Sequence, residues 1–401
     1  MGPSSSKKSI PKQLLSLDGG GVKGISSLLI LDKIMKEIMK RENTEGIDSS
    51  EEERLPVDYF HLAAGTSTGG LIALMLFRLR MSVPQVIARY RTLAEDVFTP
   101  RVFGISLHKL GALGYNIGNP ILKLKAVFFE SRFSDGPLKE AIDIVVAGHG
   151  VDDEEKAQKG KALLTREGTG KMIMCSTLAD KGESILFRSY SAPPDAEPIS
   201  SQATLALMET ISISTAACAT SAAPTFLPVV EWKGLKFWDG GLLNNNPIHQ
   251  LWAARYDLAI KAADSADSAD AAESEDLASP EPPIGCIVSL GTSWSSAVPS
   301  SPFRFINTVS RVVPFTTNTE AKNLDFRREL NRINARLPPK DHTAYFRFNT
   351  PTVDETFNLD DYQQMARLEK LTEVYLEVAG VHSDIMECAK KLHHIGMVPQ
   401  L

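Results

Sequence analysis

Short apolar runs alternate along the chain with longer stretches in which apolar residues recur at helical spacing. Residues 13–17 (Gln-Leu-Leu-Ser-Leu) read as a buried strand. A polar, glycine-rich turn follows, and then Leu28, Leu31, Ile34, Met35 and Ile38 mark one face of a helix. Residues 59–64 and 71–77 form a second apolar pair, predicted as strand and helix. Ser82 is placed to cap another helix, with Val86, Tyr90, Leu93 and Val97 on its inner face. Further strands are predicted at 171–176, 184–187, 284–290 and 344–348, and a hairpin at 229–232 and 235–238 turning on Lys233-Gly234. Helical periodicity dominates from Arg304 onward.

Strands alternating with helices predict an α/β fold, a mostly parallel central sheet flanked by helices. Three polar stretches interrupt the pattern. Residues 41–56 are acidic and predict a loop, and residues 148–170 are charged and predict a surface insertion. Residues 264–283 are acidic, small and end in prolines. Such a segment buries too little apolar area to offset its ordering entropy, so disorder is expected there and in a tail over residues 1–11.

With 401 residues the chain can bury a large core. A net charge of −6 without a basic stripe argues against nucleic acid as a main partner. The start lacks the apolar segment of a secretory signal, and no apolar run reaches the ~18 residues that span a bilayer. The formal myristoylation pattern at Gly2 is spoiled by Pro3. Cys175, Cys218, Cys286 and Cys388 show no metal-ligand spacing. Reduced, buried thiols in a cytoplasmic protein are expected, one that could sit peripherally on membranes.

Three motifs carry chemistry. Gly65-Thr66-Ser67-Thr68-Gly69 lies between the second strand and its helix. Gly-x-Ser-x-Gly in that setting is a nucleophile elbow, in which Gly65 and Gly69 make room for a sharp turn that exposes the Ser67 hydroxyl. Asp18-Gly19-Gly20-Gly21-Val22-Lys23-Gly24 lies between the first strand and its helix. Its Gly-x-Gly-x-x-Gly spacing also satisfies a dinucleotide-binding fingerprint, but no acidic residue ends the next strand to hold a ribose. An oxyanion site over Gly19, Gly20, Gly21, Val22, Lys23 and Gly24 is the better reading. Successive backbone N–H groups can converge there at a helix N-terminus, each supplying about 3–4 kcal/mol to a transition state. The third motif is Asp239-Gly240-Gly241, a turn after the hairpin, with Asn246 set to cap the helix that Pro247 opens.

A serine of ordinary pKa needs a base. Of the eight histidines, none downstream lies in a loop of the kind that ends a hydrolase strand, and His249 is predicted in a helix. A Ser–His–Asp triad stays open, with Asp239 the better base candidate.

The three motifs in this order resemble the patatin-like phospholipases, the calcium-independent lipid acyl hydrolases. Ala219-Thr220-Ser221-Ala222-Ala223-Pro224-Thr225-Phe226 and Ser289-Leu290-Gly291-Thr292 add to the resemblance, which covers about residues 12–295. It implies a patatin-like three-layer fold over residues 12–300, with a mostly helical region over 301–401 packed on it. It also implies a Ser67–Asp239 dyad in which Ser67 is the nucleophile and Asp239 the proton acceptor. The glycine loop would be the oxyanion hole, and Asp18 would not be the base but would fix that loop or end its strand. No metal or cofactor is required, and the expected partner is a glycerophospholipid at a membrane surface. Neutral acylglycerols, lysophospholipids or simple esters are alternative substrates for the same dyad, and a non-catalytic storage or scaffold protein is the alternative of another class. Residues 101–129 mix apolar and basic side chains and are a candidate lipid-facing surface.

Overall fold

Strands form where the apolar runs are covered on both faces. In the computed structural model, residues 10–45, 53–99, 101–102, 105–106, 131, 133–193, 206–259, 281–295, 319–352, 355 and 357–396 are described. The strands are β1 (Lys12–Leu17), β2 (Leu62–Thr66), β3 (Arg101–Val102), β4 (Ile105–Ser106) and β5 (Met172–Leu178). They continue as β6 (Glu183–Arg188), β7 (Val230–Trp232), β8 (Leu235–Asp239), β9 (Ile284–Leu290) and β10 (Ala344–Phe348). β3 and β4 pair only with each other, and the remaining eight make one mixed sheet.

Five of these strands, in the order β10-β9-β1-β2-β5, are parallel. β6 and β8 run antiparallel to β5, and β7 completes the predicted hairpin with β8. Lys233 and Gly234 both have positive φ, 48° and 78°, as a two-residue hairpin turn demands.

The helices are α1 (Gly24–Glu45), α2 (Thr68–Ala73), α3 (Val83–Phe98), α4 (Gly136–His149), α5 (Asp153–Gln158) and α6 (Ile213–Thr220). After them come α7 (Gly241–Asn244), α8 (Ile248–Ala253), α9 (Thr319–Asn334), α10 (Met365–Leu376) and α11 (Ala379–Ile395). The two faces of the sheet feed two separate cores. Leu15, Leu17, Ala63, Met174 and Val288 pack with residues of α1, α3, α4, α6, α10 and α11. Their neighbours Leu14, Leu62, Ala64, Ile173 and Ile287 pack with Ile248, Leu251 and Trp252 of α8 and Phe326 and Leu330 of α9. The result is the three-layer α/β arrangement expected, with strands buried on both faces as parallel sheets require.

Two polar stretches differ from expectation. Helix α1 runs on to Glu45, so residues 41–45 are helical rather than loop. Glu42 is buried there and accepts from Arg54 Nε at 2.8 Å and from the Tyr59 hydroxyl. Residues 148–170 are not merely a surface insertion, because Glu155 of α5 is buried against the equally buried Arg78. The guanidinium gives Glu155 two hydrogen bonds, 2.9 and 3.2 Å, and gives the Leu163 and Leu164 carbonyls one each. A bidentate, fully bonded pair of this kind is how a charge survives burial. Arg78 ends the buried helical stretch that begins after Ser67, so the pair anchors the far end of that stretch.

The expected tail over 1–11 and the acidic segment 264–283 fall almost wholly outside the described residues, as does the candidate surface 101–129 apart from β3 and β4. Among the described residues no helix is long and apolar enough to cross a membrane.

Candidate active site

Strand register brings the three motifs together. Strand β5 has two edges, and β6 fills one from Ile173 to Leu178. β2 and β8 therefore share the other, β2 alongside Met172 to Cys175 and β8 alongside Ser176 to Leu178. They run towards each other. The last pair of β2 is Thr66 with Cys175, and the last of β8 is Asp239 with Ser176. Ser67 and Asp239 thus meet where two strands abut end to end, 172 positions apart in sequence but adjacent in the fold. On the other side of β2, Leu17 of β1 pairs with Gly65, which carries the glycine loop alongside the elbow.

The elbow has the geometry its glycines predict. Ser67 has φ 52° and ψ −123°, a conformation that costs a non-glycine residue about 1–3 kcal/mol. A Cβ on Gly65 would sit 2.1 Å from the Gly69 carbonyl oxygen, and one on Gly69 would sit 2.2 Å from that of Leu17. No larger residue fits either position. The turn is held by Thr220, whose hydroxyl accepts the Ser67 N–H at 2.9 Å and donates to the Cys175 carbonyl at 2.5 Å.

Asp239 is buried at the end of β8. Its carboxyl accepts the Gly241 N–H at 2.6 Å, and the Ser67 hydroxyl lies within hydrogen-bonding reach. Burial raises its pKa to about 6, against the opposing pull of these two donors. Its backbone N–H is fixed on the Ala222 carbonyl at 3.0 Å. The motif around Thr220 therefore holds both Ser67 and Asp239 by their backbones. Among the described residues no hydrogen bond joins a histidine to either side chain. His249, in α8 as predicted, pairs instead with Glu329 at 3.8 Å.

The glycine loop is more selective than its sequence implied. Of its six expected donors, four N–H groups are taken. Gly19 donates to Asn245 O, Val22 to Leu359 O, Lys23 to Gly20 O and Gly24 to Gly21 O. Among the described residues only the N–H groups of Gly20 and Gly21 meet no acceptor. The loop lies against the elbow, since a Cβ on Gly19 would come 3.4 Å from that of Ser67. Lys23 is half-buried, and burial lowers its pKa while Asp18 opposes the shift.

The Asp18 side chain is committed to Arg347 rather than to Ser67. Its buried carboxylate takes two hydrogen bonds from Arg347 of β10, 3.1 and 2.7 Å. Burial lifts its pKa to about 6 against the pull of that guanidinium. Arg347 also donates to Glu320 and Ser289, and Asn349 donates to Glu320 at 2.8 Å. Sequence reasoning missed Arg347 and Glu320; nothing near either residue marks it, because the partners lie 329 and 27 positions away. It also missed Tyr90, whose hydroxyl joins that of Thr68 on the Gly21 carbonyl.

The four cysteines are buried free thiols. Among the described residues no cluster of three His, Cys, Asp or Glu side chains is arranged to hold a metal ion.

A three-layer α/β fold with a half-buried serine on a strained strand-to-helix turn, beside a glycine loop and a buried aspartate, defines a class of α/β proteins. The patatin-like phospholipase family model matches residues 15–252, and the chain belongs to that family. Relatives include mouse (Mus musculus) calcium-independent phospholipase A2-gamma, 26% identical over 384 residues that cover 91% of this chain and 38% of that protein. The cGAMP-activated phospholipase of Escherichia coli (strain TW11681) is 27% identical over 237 residues, 59% of this chain and 53% of that one. Patatin-like protein 3 of Arabidopsis thaliana is 28% identical over 256 residues, 58% and 49% of the two chains. The chain spans about half or less of the length of each.

Proposed function

We propose that this protein hydrolyses fatty-acyl ester bonds of lipids through Ser67 and Asp239. The observation that supports the reading is the meeting of β2 and β8, which brings the ends carrying Ser67 and the buried Asp239 together, with no histidine hydrogen-bonded to either among the described residues. Asp239 takes the Ser67 proton as Ser67 Oγ attacks the ester carbonyl. The oxyanion forms against the N–H groups of Gly20 and Gly21, each worth about 3–4 kcal/mol to the transition state. Asp239 then protonates the leaving alcohol, and Ser67 is left acylated. A water that gives its proton to Asp239 releases the fatty acid and restores both groups. A carboxylate lifted to about 6 is a stronger base than an ordinary aspartate, yet it is still ionised at neutral pH.

Phospholipase relatives favour a glycerophospholipid as the substrate, presented at a membrane surface. The test compares fluorophosphonate labelling and phospholipid hydrolysis in the intact protein, Ser67→Ala and Asp239→Asn. Both variants should lose at least about 1,000-fold in kcat, and Ser67→Ala should lose all labelling. In the intact protein kcat/KM should fall as pH drops through about 6, where Asp239 takes up a proton. Full turnover by Ser67→Ala would overturn the mechanism. An active Asp239→Asn alongside a dead histidine variant would replace the dyad with a triad.

A further inference from the structure

Thr292 follows β9 and lies outside the stretch matched by the family model. Its hydroxyl donates to the Gly19 carbonyl at 2.9 Å. The side chain packs so closely that a Cβ on Gly20 would sit 2.2 Å from its Oγ1. Thr292 is buried, so this hydrogen bond is shielded from water.

In a trans peptide the carbonyl of one residue and the N–H of the next point in opposite directions. Fixing the Gly19 carbonyl therefore fixes the direction of the Gly20 N–H. Sheet order supplies that direction. β1 lies between β9 and β2, with Leu17 paired to Leu290 on one side and to Gly65 on the other. Two residues beyond those pairs, Thr292 flanks Gly19 on the β9 side and Ser67 flanks it on the β2 side. A carbonyl drawn towards Thr292 turns the adjoining N–H towards Ser67. The N–H of Gly19, in the preceding peptide unit, is bound to Asn245 O at 2.9 Å, so residue 19 is held on both sides of its Cα.

We propose that Thr292 is a positioning residue that aims the Gly20 N–H at the developing oxyanion. This rests on the reading of Ser67 as nucleophile and of the glycine loop as the oxyanion site. The Thr292 hydroxyl bonds the Gly19 carbonyl and not Ser67. It acts only through the Gly19–Gly20 peptide, so its effect belongs to the transition state and not to substrate binding.

The test uses Thr292→Val, which keeps the shape and removes the donor, and Thr292→Ser, which keeps the donor. Active sites are counted by fluorophosphonate titration, so that rates refer to folded, reactive protein. Per titrated site, Thr292→Val should lose roughly 10- to 100-fold in kcat, with KM within about twofold of the intact protein. Thr292→Ser should recover to within about threefold. A trifluoromethyl ketone, which adds to the serine to give an oxyanion, should bind Thr292→Val more weakly by the same factor as kcat falls. A residue with a purely structural role would lower the count of titratable sites and leave kcat per site unchanged, and that result would overturn the proposal. So would an unchanged kcat in Thr292→Val, or a loss that Thr292→Ser does not repair. Ser67→Ala, run beside them, separates the two levels. If it retains hydrolysis, the nucleophile assignment fails; if it is inactive while Thr292→Val turns over like the intact protein, only the role of Thr292 fails.

Discussion

The stretch matched by the family model, residues 15–252, and the stretch beyond it meet at the glycine loop but contribute different things. The first holds Ser67, Asp239 and the loop itself. The second holds no candidate reacting group among its described residues, yet it grips the loop from three directions. Arg347 clasps Asp18, Thr292 holds the Gly19 carbonyl, and Leu359 O takes the Val22 N–H. Strands β9 and β10 extend the parallel sheet, and α10 and α11 pack on α1, which starts where the loop ends. Reacting groups can sit on one local turn each. A set of aimed backbone donors has to be over-determined by its surroundings, and here the surroundings come from distant chain.

The grip of the distal stretch on the loop is strongest at Arg347. Arg347→Met leaves Asp18 as a buried carboxylate without its charged partner, and should cost about 3–5 kcal/mol in urea titrations at pH 8. Asp18 is already raised to about 6 with Arg347 in place, and losing the guanidinium raises it further. At pH 5 the carboxyl is therefore protonated and the loss should shrink. An equal loss at both pH values would show that the pair is not what secures the loop.

Asp239→Asn tests the other region and should act in the opposite sense. The folded carboxyl titrates at about 6 against an unfolded value of 3.8, so the folded state holds the proton more tightly. Stability of the intact protein from this group thus falls as pH rises from about 4 to about 6, by an amount on the order of 2 kcal/mol. The asparagine variant lacks that dependence, and its carbonyl can still accept the Gly241 N–H. It should be more stable than the intact protein at pH 8 by about 2 kcal/mol, and matched with it at pH 4. A variant less stable at both would deny that burial of the charge governs this site.

Gly21→Ala strikes the seam between the regions. Gly21 has φ 57°, and a Cβ there would lie 2.1 Å from Leu359 O. Expected are a loss of about 1–2 kcal/mol and faster exchange of the Val22 amide proton as the Leu359 segment is pushed away. Tyr90→Phe sharpens the picture at the small end. The Thr68 hydroxyl still serves the Gly21 carbonyl at 3.1 Å, so the loss should stay near 1 kcal/mol, measured by thermal melting.

What could be read from the sequence was what local geometry dictates. β9 was legible to the residue as an apolar run, and the hairpin was legible from Lys233-Gly234. The elbow and the Asp239 turn were legible because glycine beside serine or aspartate reports a tight backbone within a few residues. Charged side chains misled. Residues 41–45 and Glu155 looked solvated because their burial depends on Arg54, Tyr59 and Arg78, which the local pattern does not name. The loop was legible as a set of donors but not as the two left unpaired. That selection depends on Asn245, Leu359 and Thr292, brought in by the sheet from far along the chain. Length of separation, more than polarity, decided what stayed hidden.

The backbone at Ser67 bears on natural selection as well as on chemistry. At φ 52° and ψ −123° a glycine would rest more easily than a serine, so Ser67→Gly is an available route to a more stable protein. A lineage with no use for the hydroxyl would be free to drift along it, since random change favours relief of strain wherever function does not object. This chain carries a serine on that turn, with a buried aspartate at the end of the abutting strand.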